Sequence, residues 1–562
     1  MTTLNDVLQQ DYEESPERVA IYWLSQDIDV PITVHSLVHS AAGFARSLAD
    51  AGIQAGDPLV IILQHERALA EAFFGCVLHG AIPTILPFLT EKLAPHRYRQ
   101  SLQALLEITQ PTAIISYPDF ENEVELAIRE SGLPITILLA DDVRPANSFR
   151  FQDLEGASRD VDEIVLLQHS SGTTGLQKGV ALSHRSILNQ ISHYADAIHM
   201  TSQDVVVNWL PLYHDMGLIA GFLMPILRSV PTVLMSPFDW VRAPQRLHHA
   251  VSRYGGTITW LPNFAYNFCA KKIRDRDLAG VDLSNWRAVI NCSEPMRQKS
   301  HEMFMQRFER YGLRRDALAT CYAMAENVFA ITQGGVDTPS QVDEIDRDVF
   351  MEQHLARPAR RGEEKLAVLS AGVPIAGTRV RVIDEQYQDL PERSIGEIAL
   401  KSDCMLTGYF NRDDLTAQAF HEGWFLTGDL GYLVGGELYL TGRKKEILIV
   451  GGRNIYPQDL EELVSEVQGI HPGRVVAFGV FSDIAGTEDV GIVAEADTKD
   501  SEARRKLEER IRLEVNRGSD IVLRYVRVVP RGWVIKTSSG KLAREANRTK
   551  FLEERSSLNT LS

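Results

Sequence analysis

The chain has 562 residues, a formal net charge of −17 and 44% hydrophobic residues. Single cores stop growing at roughly 250–300 residues, so at least two domains are expected. The acidic balance argues against a nucleic-acid binder, which needs a clustered basic face, but leaves room for a local site that takes one nucleotide.

The first part of the chain alternates helices with short apolar strands. A helix over 37–52 leads to a strand at 58–63, a helix over 68–80 to a strand at 82–86, and a helix over 98–109 to a strand at 113–116. Strand-like runs recur at 163–167, 232–235, 257–260 and 288–291. Strands alternating with helices predict parallel sheet with right-handed crossovers. Residues 336–365 break this rhythm with the polar run ARPARRGEEK, which reads as a solvated loop or an insertion. Glycine-rich β-like sequence follows, with strands expected at 379–384, 396–401 and 437–440. A compact α/β pattern restarts after Gly442: ILIV, a helix over 457–466 with Pro457 in its first turn, then RVVAFGV. The predicted boundary lies near 442–445, giving domains 1–442 and 443–562. Five widely spaced cysteines, with no CxxC pair, fit neither a zinc ribbon nor a disulfide framework and suit a reducing compartment. The polar, acidic start of the chain is unlike a signal peptide. The apolar run 216–227 is shorter than the ~20 residues of a membrane helix and reads as a buried helix. A cytoplasmic protein with no integral membrane segment is expected.

The strongest local signal is IVLLQHSSGTTGLQKGVALSH, 164–184. An apolar strand runs into Ser170, Ser171, Gly172, Thr173, Thr174 and Gly175, followed by Lys178 and Gly179. Small residues let backbone N–H groups approach phosphate oxygens, and the lysine adds charge. The spacing is neither that of a Walker loop nor GxGxxG. The segment resembles the signature loop of the adenylate-forming superfamily: acyl-CoA synthetases, nonribosomal adenylation domains and luciferases.

Further matches to that superfamily follow in order. WLPLYHDMG (209–217) places His214 where the family borders the acyl pocket, although a histidine beside an apolar helix is also a common core residue. Ser293, Glu294 and Pro295 resemble the loop that lines adenine. CYAMAE (321–326), with Tyr322, Ala323 and Met324, is similar to the family's Tyr-Gly-x-x-Glu segment, and the resemblance gives Glu326, with Thr174, to Mg²⁺. Ala323 replaces the usual glycine. Asp429 in WFLTGDLG would take the ribose hydroxyls, Arg443 ribose or phosphate, and Lys445 the hinge of the small domain. KTSSGK (536–541) matches the C-terminal catalytic loop, so Lys541 would bridge the substrate carboxylate and the α-phosphate.

Several stretches are similar to fatty acyl-AMP ligases in particular, among them PNFAY (262–266), DLSNWR (282–287) and GRNIYPQDLE (452–461). That branch carries an insertion that hinders CoA use, and 336–365 falls about where it would lie. The implied fold is α/β: a large N-terminal domain of mostly parallel sheets plus a β-rich subdomain, and a small mobile C-terminal α/β domain. The implied reaction is ATP- and Mg²⁺-dependent activation of a fatty acid to acyl-AMP. Transfer would follow to the phosphopantetheine thiol of an acyl carrier protein in trans, since no carrier segment follows Lys541. The alternatives are a long-chain fatty acid–CoA ligase, an adenylation domain for amino or aryl acids, and an inactive nucleotide- or acyl-binding regulator. Phe222, Met224, Phe264 and Met324 stand either in a tail pocket or in plain core.

Overall fold

The fold is given by a computed structural model, which describes all residues except 1, 26–27, 89–94, 170–177, 451–452, 483–486, 499, 520, 538–539 and 560–562. The alternating pattern produces parallel sheet, as expected. Ile82–Ile85, Pro58–Ile61, Ala113–Ser116 and Thr136–Leu139 pair in that order, all in parallel. The helices Val34–Asp50 and Arg67–His79 lie against each other so closely that a Cβ on Gly75 would stand 2.3 Å from the Cβ of Phe44. Only glycine permits that approach.

A second, mixed sheet has 15 strands among the described residues. One half is parallel and includes Thr232–Met235, Ile258–Leu261, Ala288–Asn291 and Leu318–Ala323. The first three of these are wholly buried, which explains their uninterrupted apolar sequence. From Leu318–Ala323 onward the sheet turns antiparallel, through Lys365–Pro374, Glu437–Arg443, Trp424–Val434, Gly396–Ser402 and Thr378–Ile383. This is the β-rich region. The hairpin Ile164–His169 and Gly179–Ser183 stands apart, with Gly408–Tyr409 as its third strand.

The chain after Leu448 builds a separate core from residues such as Leu460, Val475, Ile492, Ile511 and Leu523. Its sheet is Ile470–Ser482, Thr487–Ala496 and Leu523–Val529, packed by the helices Pro457–Ser465, Ser501–Gly518 and Arg544–Asn559. No helix among the described residues is long and apolar enough to cross a membrane.

One expectation holds with a refinement, and one needs correction. The run 216–227 is buried but begins as π-helix, Met216–Leu223, and becomes α-helix only at Met224–Leu227. Wide winding relieves a crowded site: a Cβ on Gly217 would lie 2.2 Å from the Pro211 carbonyl oxygen, and one on Gly221 2.3 Å from Asn208. Segment 336–365 is not a plain solvated loop. Val342–Asp346 pairs antiparallel with Lys365–Pro374, and the helix Arg347–Gln353 follows, with Ile345 and Phe350 buried. Phe350 lies 5.5 Å from the ring of Tyr456, Met351 packs on the C-terminal core, and Arg347 donates to the Gly518 carbonyl. The excursion is a contact between the two halves of the protein.

Candidate active site

The antiparallel register sets one corner of the site. Asp429 and Arg443 are direct cross-strand partners, and Arg443 Nε lies 3.0 Å from Asp429 Oδ1. Tyr322, at the end of a central strand, donates its hydroxyl to Asp429 Oδ2 at 2.6 Å. The pairing holds the Arg443 guanidinium above its ordinary pKa, chiefly through the Asp429 charge. Burial raises the Tyr322 phenol, and the neighbouring carboxylate raises it further. The result is a fixed, protonated Tyr322 beside an oriented carboxylate whose remaining lone pairs can accept diol hydroxyls.

Glu326 stands one turn beyond Tyr322. Its Oε1 accepts the Tyr409 hydroxyl at 2.9 Å, and Lys178 Nζ lies 4.4 Å over the Tyr409 ring. Burial pushes the Glu326 carboxyl up, against the pull of its own backbone N–H, Tyr409, Lys178 and Arg443. Lys178 is lowered, first by burial and then by Lys445 and Arg412, while Glu326 opposes them. One carboxylate therefore faces several cations in a partly buried space, a charge pattern suited to a polyphosphate. Val328, wholly buried, holds φ +61°, a left-handed conformation that is strained for a β-branched residue. The strain is local to the turn that aims Glu326.

On the opposite side, Ala288–Asn291 ends in a turn where Ser293 takes φ +69°. Glu294 Oε2 accepts the Phe264 amide at 2.9 Å, which caps the helix Asn263–Lys272, and Pro295 is exposed. Ala323 and Met324 are half-buried, and the Met324 amide bonds the Phe329 carbonyl. His214 pairs with Asp215, Nδ1 to Oδ1 at 2.5 Å. Burial alone would raise the Asp215 carboxyl, but His214, Lys541 and the Met216 amide hold it below its ordinary value. The charge of Lys541, carried by the C-terminal domain, is among those felt by Asp215. The Lys541 loop is closed by Thr537, whose amide bonds the Lys541 carbonyl at 2.8 Å and whose Oγ1 accepts the Lys541 amide at 3.1 Å. Lys445 is exposed in the short turn Lys444–Glu446.

Ser170, Ser171, Gly172, Thr173, Thr174 and Gly175 lie outside the described residues; the hairpin that carries them is in place. Phe222 and Met224 are core, 0% and 1% exposed, whereas Phe264 is 42% exposed and lies edge-on to the stacked Trp209 and Trp240. Sequence reasoning did not assign Tyr409, Asp215 or Arg412. Asp215 was within reach, because it stands inside the quoted motif.

The family described as AMP-binding enzyme matches residues 8–410. The chain belongs to that family. The AMP-binding enzymes similar to it include the medium-chain-fatty-acid–acyl-carrier-protein ligase JamA of Moorena producens (strain JHB), 32% identical over 86% of this chain and 83% of the relative. A structure from work on the fatty acyl-adenylate ligases of E. coli and L. pneumophila superposes with TM-score 0.90 at 26% identity, covering 99% of both chains. A fatty acyl-adenylate ligase of L. pneumophila in complex with acyl adenylate and pyrophosphate matches with TM-score 0.74 at 26% identity, over 98% and 96% of the two chains. This AMP-binding enzyme is an adenylate-forming ligase and uses ATP.

Proposed function

We propose that the protein activates a fatty acid as its acyl-adenylate and passes the acyl group to the phosphopantetheine thiol of an acyl carrier protein acting in trans. The observation that carries this reading is the Tyr322–Asp429–Arg443 corner together with the Glu326–Tyr409–Lys178 cluster. The resemblance gives Lys541, whose charge helps to hold Asp215 ionised, the place where a substrate carboxylate and an α-phosphate would meet. The similarity to fatty acyl-adenylate ligases along the whole chain supports the acid chosen.

In this assignment Ser170 to Gly175 and Lys178 take the ATP phosphates. Ser293, Glu294, Pro295, Tyr322, Ala323 and Met324 frame the adenine, Asp429 holds the ribose, and Arg443 contacts ribose or phosphate. His214 borders the acyl carboxylate. Glu326 and Thr174 would hold Mg²⁺. Glu326, half-buried and near Lys178, fits an ion that takes one or two carboxylates plus substrate phosphates. When bound, the ion neutralises phosphate charge. A carboxylate oxygen attacks the α-phosphorus in line, the bond to the bridging oxygen breaks, and pyrophosphate leaves with the electron pair. The protein contributes positioning and preorganised charge. Lys541 draws carboxylate and α-phosphate together, and Lys178 stabilises the leaving group.

The chain divides at 442/443, with Lys445 as the hinge. The excursion within 336–365 contacts the C-terminal domain through Phe350 and Tyr456, and the resemblance puts there the insertion that hinders CoA use.

The test is purified protein with ATP, Mg²⁺ and a panel of fatty acids, with and without CoA, read by mass spectrometry. Acyl-AMP that accumulates and is untouched by CoA is the expected result. Rapid conversion to acyl-CoA would make the protein a CoA ligase. No product from any fatty acid would remove the substrate assignment.

A further inference from the structure

The adenine-side turn does not end at Pro295. Two residues on, the Arg297 amide donates to Asn263 Oδ1 at 3.1 Å, and the same oxygen accepts from Asn291 Nδ2 at 3.1 Å. Arg297 is thereby fixed to the strand end that carries Ser293. Its guanidinium leaves the N-terminal domain altogether. Nη2 lies 2.8 Å from Asp459 Oδ1 and Nε 3.3 Å from Glu462 Oε2, both on the helix Pro457–Ser465 of the C-terminal domain. Lys299 pairs with Glu466, the residue that closes the same helix.

The inner face of that helix continues the path. Glu461 accepts the Ala477 amide at 2.8 Å and the Arg544 guanidinium. Arg544 stands three residues after Lys541 and also reaches Glu446, next to Lys445, at 3.4 Å. Two sets of charged contacts, joined through the helix Pro457–Ser465, thus lie between the adenine-side turn and the loop of Lys541. The outer pairs are of another kind from the inner ones. Side-chain exposure is 24% for Arg297, 37% for Asp459 and 40% for Glu462, but 12% for Arg544 and 11% for Glu461. Exposed pairs can part at little cost and are screened by salt, whereas buried ones hold a domain together as a unit.

We propose that Arg297 is a positioning residue for adenylation: its pairs with Asp459 and Glu462 hold the C-terminal domain, and with it the loop of Lys541, against the N-terminal domain, and they tie that placement to the adenine-side turn. The inference rests on the role given to Lys541 above. The planar guanidinium fork matters here, because it spans two carboxylates that an ammonium would meet only singly.

The experiment compares wild type, Arg297→Gln and Arg297→Lys in three measurements at low and high salt. These are acyl-AMP formation from ATP and a fatty acid, acyl transfer from supplied acyl-AMP to pantetheine, and limited proteolysis of the link around 443–450. Arg297→Gln is expected to lower kcat for adenylation roughly fivefold to tenfold, with KM for ATP within about threefold of wild type. Transfer from supplied acyl-AMP stays at or above the wild-type rate, Arg297→Lys recovers part of the loss, and the link is cleaved faster in Arg297→Gln. Raising salt from about 0.05 to 0.5 M slows adenylation and speeds cleavage in wild type but leaves Arg297→Gln nearly unchanged. Adenylation and transfer falling by the same factor would mean a merely structural role and overturn the proposal, as would a Gln variant identical to wild type. If wild type makes no acyl-AMP, the functional reading fails, while the proteolysis comparison still decides whether Arg297 holds the domain.

Discussion

The Tyr322–Asp429–Arg443 corner and the Lys541 loop show two ways of placing a charge. Asp429 and Arg443 face each other across a strand ladder, and Tyr322 comes from the same sheet, so the backbone register itself fixes the three side chains. Lys541 sits on a loop of a separately cored domain. That domain meets the rest of the chain through partly exposed ion pairs, the aromatic contact of Phe350 on Tyr456, the packing of Met351 and the hydrogen bond from Arg347 to Gly518. In the reading proposed above, the adenosine side is held by continuous sheet and the lysine side by docking. An enzyme with two half-reactions needs both.

Glu326→Gln attacks the fixed side at the phosphates. We expect adenylation to fall by roughly 10²–10³-fold, in the range of losing one preorganised electrostatic contact. Initial-rate kinetics of acyl-AMP formation checks this. Phe350→Ala attacks the docked side. Emptying a buried aromatic site costs about 3 kcal/mol or more. Because Phe350 touches Tyr456, the loss should appear as earlier release of the C-terminal domain, seen as a split calorimetric transition.

Acid separates the two regions in another way. Burial holds His248 and His301, both in the N-terminal domain, at about 3 against an ordinary 6.5. Their folded pKa lies below the unfolded one, so the unfolded chain binds more protons between these values, and stability is lost as pH falls from 6.5 toward 3. Between pH 7 and pH 5 the loss is about 2 kcal/mol for each histidine. Thermal unfolding at the two pH values should show the N-terminal transition moving down, and replacing both histidines with apolar residues should reduce that shift, leaving the share of His65, His169 and His184, which burial also lowers. The smallest effect expected is that of Asp429→Asn, which keeps the shape but turns an acceptor oxygen into a donor. KM for ATP should rise about tenfold, equal to ~1.4 kcal/mol, with kcat within about threefold of wild type.

Much of this contrast could be read in the sequence. The strands Ala113–Ser116, Thr232–Met235 and Ala288–Asn291 fall at the residues expected, because full burial in a parallel sheet leaves an unbroken apolar run between polar ends. The helix expected from residue 37 begins at Val34, where the Thr33 hydroxyl accepts the Ser36 amide, a cap that sits inside strand-like sequence. The winding of Met216–Leu223 had no signature, since a shifted hydrogen-bond ladder leaves composition unchanged. The excursion was read as loop because its few buried groups, Ile345 and Phe350, are diluted among charges. Tyr409 was missed for a different reason. It lies 83 residues from Glu326 in sequence, and a partner brought in by tertiary folding has no local pattern. The ion pairs of Arg297 were invisible on the same ground.

The account is tested most directly by Lys541→Ala, measured for both ATP binding and acyl-AMP formation. A fixed adenosine side and a delivered lysine predict ATP affinity within about threefold of wild type and acyl-AMP formation lower by roughly 10²–10³-fold. Acyl-AMP formation at the wild-type rate would contradict the role of Lys541, and loss of ATP binding would contradict the separation of the two sides.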